Sequence, residues 1–235
     1  KSTYGHGYYG TGTSYVNSGD LEGTIHIDKK ISDFSINTDI GADLYSTIYK
    51  SNSSNTVNGL IIPDLYTIPN SKETANIVNK RSEEKQRAFF IKALTGYRDI
   101  VFFDLVLRKE FHSTLPPGNN SIMAKSFGGT FIFSKLVSVP FLDLGKIRLA
   151  WGEIPEPIPV YMYPGFNYSV GQYQWNSSYL SSTPDFLVPS EIRGSIKKET
   201  EAGFDLELIQ SIAKLSFTWW QQRETGIPLN TQVSN

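Results

Sequence analysis

The chain has 235 residues, enough for one or two domains with real cores, and its 22 Lys and Arg nearly cancel its 23 Asp and Glu. That balance gives nucleic acid or an acidic substrate no electrostatic footing. There is no cysteine, which excludes disulfides, thiolate chemistry and zinc–thiolate centres, and the three histidines, His6, His26 and His112, match no metal-ligand spacing.

No run of about 20 apolar residues marks a membrane-spanning helix. Spanning strands alternate apolar and polar residues and leave hydropathy low, so periodicity has to decide. The opening KSTYGHGYYGTGTSY reads as loop, with neither an initiator Met nor a signal segment, as in a piece of a longer chain. Its GHGYYG formally fits G-x-G-x-x-G but neither follows a strand nor opens a helix, so a dinucleotide site is not expected there.

From Leu21 a period of two begins. Leu21, Gly23, Ile25 and Ile27 alternate with Glu22, Thr24, His26 and Asp28. After a short turn, Phe34, Ile36, Thr38, Ile40, Ala42 and Leu44 alternate with polar residues and glycine, a strand pattern. The polar stretch 51–84 predicts a long loop. Strands are expected again over 87–95 and, after a tight turn at Gly96, over 101–110; HSTLPPGNNSIMAK then reads as a second long loop, since Pro-Pro-Gly cannot sit inside a strand. Phe127, Gly129, Phe131 and Phe133 mark a fifth strand, and Ile147, Leu149 and Trp151 a sixth beyond a turn near Phe141–Asp143. A third long segment, Gly152 to Glu191, is rich in Pro and Tyr. Ala202–Leu208 and Ala213–Trp219 complete about eight strands.

Short turns and long loops alternate along this order, as in outer-membrane barrels with tight periplasmic turns and long extracellular loops. Several strands exceed the ~5–6 residues usual in globular sheets. Phe111, Trp151, Trp219 and Trp220 fall toward the inferred outer ends, as an aromatic girdle would. The expected fold is all-β, an antiparallel transmembrane β-barrel segment. The competing reading is a soluble or surface-attached β-sandwich that binds carbohydrate, because a half-buried soluble sheet alternates in the same way.

Catalytic chemistry is not expected. Glu199, Glu201, Asp205 and Glu207 share one strand face, the ordinary signature of a sheet's wet side. Arg108, Lys146, Arg148, Glu201, Asp205 and Glu207 are expected to face a lumen, either as a charge network between strands or in contact with a plug or an anionic solute. The aromatic residues of the third long segment, Tyr161, Tyr163, Phe166, Tyr168, Tyr173 and Trp175, are the candidates for contacting a substrate or partner, since Tyr and Trp offer large contact area at low entropic cost. The alternative is that they only pack the loop. No cofactor and no metal is expected.

Arg108 and Glu110, Ser113, Asn119–Asn120 and the Phe131–Ser134 region carry a family likeness. So do LGKIRLAWGE (Leu144–Glu153), SIKKETEAGFDLELI (Ser195–Ile209) and GLIIPDLYTIPNS (Gly59–Ser71). In order and spacing these elements resemble the SusC/RagA-like TonB-dependent transporters of Bacteroidetes outer membranes, over most of residues 21–224. Trp151 stands where the family commonly has Tyr, and the Gly-rich start has no counterpart. The resemblance implies a plugged barrel of about 22 strands, with residues 1–235 as one part of its barrel domain. It also implies import of oligosaccharides or peptides, a SusD-like surface lipoprotein above the long loops, outer-membrane lipid around the barrel, and coupling to TonB through a plug and N-terminal part that would lie upstream.

Overall fold

The computed structural model describes residues 7–160, 169–176, 178–182 and 191–229, with the backbone alone for 169–175 and 179–182. Eight antiparallel strands form one sheet: β1 (Gly10–Ile31), β2 (Phe34–Leu60), β3 (Ser71–Tyr97), β4 (Val101–His112), β5 (Ser121–Phe131), β6 (Leu142–Glu156), β9 (Ser195–Leu208) and β10 (Ala213–Thr225). They stand in the order β1-β2-β3-β4-β5-β6-β9-β10, so each chain neighbour pairs with the next. Inside the connection from β6 to β9, β7 (Ser169–Trp175) and β8 (Ser178–Ser182) pair as a separate hairpin. The sheet is therefore all-β and antiparallel, the architecture of a β-barrel segment.

The chain divides into two units, one of residues up to 20 with 45–85, the other of 21–44 with 86 onward. In the second unit the connections 32–33, 98–100, 132–141 and 209–212 share one end of the sheet. They are tied side by side: the Arg98 amide donates to the Asp33 carbonyl (2.8 Å), Ile132 to Ile100 (2.8 Å) and Ile209 to Phe141 (3.0 Å). Arg98 Nε also pairs with Asp33 at 2.8 Å. The opposite end carries 113–120 and the two bases of the β6–β9 connection, 157–160 and 191–194.

Three expectations need correction. The polar stretch 51–84 is mostly strand, with only 61–70 as connection, and β1 begins inside the segment read as loop. These strands are polar on both faces, so no alternation betrays them. They are held by the backbone ladder and by cross-strand side-chain pairs such as Ser18 Oγ with Thr47 Oγ1 (2.8 Å) and Asn58 with Glu73. The tight turn lies at residues 98–100 rather than at Gly96, which stays in β3 with Ser35 and the Phe102 ring close over it. The fifth strand ends at Phe131. Phe133–Lys135 form one 3-10 turn within 132–141, a connection that runs on to Phe141 and is not short, so the strict short–long alternation does not hold there.

In the first unit, Asn70 clasps the tip 61–70. Its side chain accepts from the Ile62 amide (3.0 Å) and donates to the carbonyls of Ile62 (2.8 Å) and Leu65 (2.7 Å), and it is buried. Asn70→Ala should free this tip at a cost of about 1–3 kcal/mol. Limited proteolysis should then cut between residues 61 and 67 before anywhere else; an unchanged cleavage pattern would show that the clasp contributes nothing.

Candidate functional site

The registers sort the second unit's side chains into two faces. Leu105 pairs with Phe127, Phe127 with Trp151, and Trp151 with Thr200. The next row toward the short turns is Phe103, Gly129, Leu149, Ala202 and Trp219. Ile25, Phe34, Ile40, Phe89, Phe131, Ile147, Leu215 and Phe217 belong to the same apolar face. Those large side chains are all exposed, Phe103 at 63% and Leu149 at 60%. Nothing among the described residues covers them. Toward the long loops the face ends at a charged row, where Leu107, Lys125, Glu153 and Lys198 stand in register and Glu153 pairs with both lysines (3.7 and 3.4 Å).

Phe127 and Trp151 stack next to that charged boundary with ring centroids 5.8 Å apart, where an aromatic girdle belongs. Trp219 instead lies midway down the apolar band. Trp220 faces the other way, opposite Glu201, so the outer-end grouping expected for these two tryptophans is not found.

The polar face carries two ion-pair clusters. In the first, Asp205 receives Lys146 (3.2 Å), Arg148 Nε (3.0 Å) and the Ser216 hydroxyl, while Arg148 also reaches Glu201 (3.5 Å) and Lys214 holds Glu207 (2.7 Å). Lys146, Arg148, Glu201, Asp205 and Glu207 are thus brought together. Arg108 shares their face but belongs to the second cluster, donating to Asp43 and Glu110 under the Phe90 ring, with His112 Nε2 2.9 Å from Glu110. The Asp43 and His112 side chains are almost fully enclosed, at 8% and 2% exposure.

Asp43, Phe90 and His112 are members that sequence reasoning did not single out. The signal was present in parity: Arg108, Glu110 and His112 are two apart on one strand and so share a face. Asp43 required knowledge that β2 and β4 flank β3 in the sheet, which no local pattern supplies. Burial on this sheet thus sits on the polar face, with Ala88, Phe90 and Ile122 as its apolar members.

Tyr161, Tyr163, Phe166 and Tyr168 lie outside the described residues. Tyr173 and Trp175 fall in β7, where the backbone alone is described. The base of their connection is well built. Ile158 and Ile192 pack with Leu115 and Ile122, Arg193 donates to Asn119 (2.9 Å), and Gly194 lies so close against the Glu156 carbonyl that a Cβ would collide with it. Lys197 pairs with Glu156. Among the described residues no His, Cys, Asp or Glu side chains gather into a set fit to hold a metal.

An antiparallel sheet with an apolar face, an ion-paired face and a tied rim of turns at one end defines the class as a β-barrel segment. No protein-family model and no curated protein matches the sequence. Among solved structures the chain is similar to the RagAB peptide transporter, with a TM-score of 0.73 and 12% identity over 97% of this chain and 25% of that one. The RagAB peptide importer matches in its "open-open" state at TM-score 0.71, covering 97% and 25%, and in its "closed-closed" state at 0.70, covering 94% and 24%, each at 12% identity. The likeness is one of fold, and the chain spans about a quarter of the length of the chains it matches.

Proposed function

We propose that this chain is part of an outer-membrane, TonB-dependent importer of peptides or oligosaccharides that works with a SusD-like surface lipoprotein. The observation that carries this reading is the uncovered apolar face. A soluble sandwich buries its apolar face against a second sheet and leaves its polar face wet. Here the relation is reversed, since the apolar face is open and the polar face holds the enclosed ion pairs. An apolar face of this extent is at home in hydrocarbon, with the ion-paired face turned to the lumen.

The fold likeness to a peptide transporter makes peptides the first solute class to test. The short-turn rim is taken as periplasmic. The connection 157–194, with Tyr161, Tyr163, Phe166, Tyr168, Tyr173 and Trp175, then lies on the side of the lipoprotein and the incoming solute.

Two measurements test this. The isolated chain should aggregate in plain buffer and stay dispersed only in detergent, because both sheet edges and the apolar face are open; a soluble, cooperatively folding monomer would refute the barrel reading. In the whole protein, deletion of residues 161–190 keeps Ile158, Ile192 and the close Glu156–Gly194 approach, so assembly in the membrane should persist. Uptake or lipoprotein capture should fall, and if both stayed at wild-type level the recognition role of the loop would be lost.

A further inference from the structure

The apolar face of the second unit changes character toward the long loops. From β3 to β10, alternate ladder positions beyond the Phe127–Trp151 stack bring Arg87, Lys109, Lys125, Lys198 and Arg223 to that face. Glu153 is the one carboxylate among the ladder residues there. The carboxylates beside these cations in sequence, Glu110, Glu199 and Glu224, have the opposite parity and project to the other face.

The two faces treat their cations differently. On β4, β6, β9 and β10 the polar-face cations Arg108, Lys146, Arg148, Lys197 and Lys214 each have a carboxylate partner. On the apolar face Lys125 and Lys198 share Glu153, while Arg87, Lys109 and Arg223 are exposed with no ion-pair partner among the described residues. Like charges are also set side by side. Lys198 stands directly opposite Arg223, an arrangement that costs a sheet stability. Arg87 and Lys109 both lie on the Phe111 ring, 4.8 and 5.5 Å from its centroid. Cations gathered without counter-charge at the edge of an apolar band match an anion from outside the chain that is carried on an apolar body.

We infer that this band docks the phosphates of lipid A, the acylated and phosphorylated glucosamine disaccharide of the outer leaflet. This rests on the lipid-facing, long-loop-outward reading proposed above. From β4 to β10 the band covers four strand spacings, about 19 Å. That width suits phosphates at the two ends of a disaccharide better than a single phosphodiester. Arg87 and Lys109 form one end of the band and Lys198 with Arg223 the other, with Lys125 between them over the Trp151 ring at 5.8 Å. The acyl chains then run down the apolar rows past Phe127 and Trp151 toward Leu149. The phosphates stay at the border of the hydrocarbon, where partial desolvation strengthens an ion pair.

Native mass spectrometry of the full-length protein in detergent, titrated with lipid A, tests the inference. Lipid A should be retained in preference to its dephosphorylated form and to phosphatidylglycerol. Arg87→Gln and Arg223→Gln break no ion pair among the described residues, and each should weaken retention about fivefold. Arg223→Lys, which keeps the charge, should restore it. Lys197→Gln, next to Lys198 but on the other face, should leave retention unchanged. Equal retention of lipid A and its dephosphorylated form, or of phosphatidylglycerol, would overturn the inference. So would a loss with Arg223→Gln no greater than with Lys197→Gln. Benzoylphenylalanine at Phe103, on the same face but away from the band, reads the lipid-facing assignment separately by photocrosslinking in cells. A lipid adduct there keeps that assignment standing if lipid A retention fails, whereas no lipid adduct brings down the assignment and the inference together.

Discussion

Arginine at Leu149 should destabilise the folded protein in vesicles by about 2–4 kcal/mol, the range for a cation held at the bilayer midplane on a lipid-facing strand. Leu149 occupies the row halfway between the short-turn rim and the charged row through Lys125, Glu153 and Lys198, and its side chain points into the uncovered apolar face. The next residue, Ala150, is also exposed but sits on the other face, opposite Glu201 and Gly128. Ala150→Arg should therefore cost little, since a partner carboxylate is at hand. Phe131→Arg should fall between them at about 0–1 kcal/mol, because Phe131 ends its strand beside the turns, where the penalty fades. Urea titration of folding into vesicles measures all three. A similar cost at Leu149 and Ala150 would mean that the two faces do not see different solvents.

Arg108→Met should cost about 3–5 kcal/mol, through the charges it abandons rather than the contact it removes. Arg108 is the cation between Asp43 and Glu110, and the Asp43 carboxylate is almost wholly enclosed. Without the guanidinium, two carboxylates face each other across a site that water barely enters. Removing the more enclosed carboxylate as well should restore stability: Asp43→Leu combined with Arg108→Met is expected to recover most of the loss, because the Leu–Met pair carries no desolvation penalty and Glu110 keeps His112 as its partner. If the double variant were as unstable as the sum of the singles, the ion pair would not be what holds this part of the sheet.

The strands with one apolar face were legible because membrane or core burial imposes a period of two on the residue types. Phe34–Leu44, Val101–Leu107 and Ile147–Trp151 all carry it, and each is a ladder strand. The same logic grouped Lys146, Arg148, Glu201, Asp205 and Glu207 by parity. It failed where both faces are polar: 45–60 and 71–85 form strands although SNSSNTVNG and SKETANIVNK show no alternation. It failed also at Phe133, whose spacing from Phe127, Gly129 and Phe131 continues the strand period while its backbone turns away to lay the ring on Gly145. Side-chain period reports which face is apolar, not whether the backbone is still paired. Asp43 remained hidden for a third reason, since its partner is 65 residues away and the meeting depends on the sheet order.

The stretches of β2 and β3 that are polar on both faces have a consequence for how such a protein can change. Their geometry rests on backbone pairing, which every residue type but proline can supply. Few of their side chains fill a core, with Thr56 and Leu60 among the exceptions. Substitutions at 45–55 and 71–85 can therefore replace one polar surface with another at little cost to folding. These ribbons can change their polar surface residue by residue while the ladder persists, whereas each step along the apolar band is held to an apolar side chain.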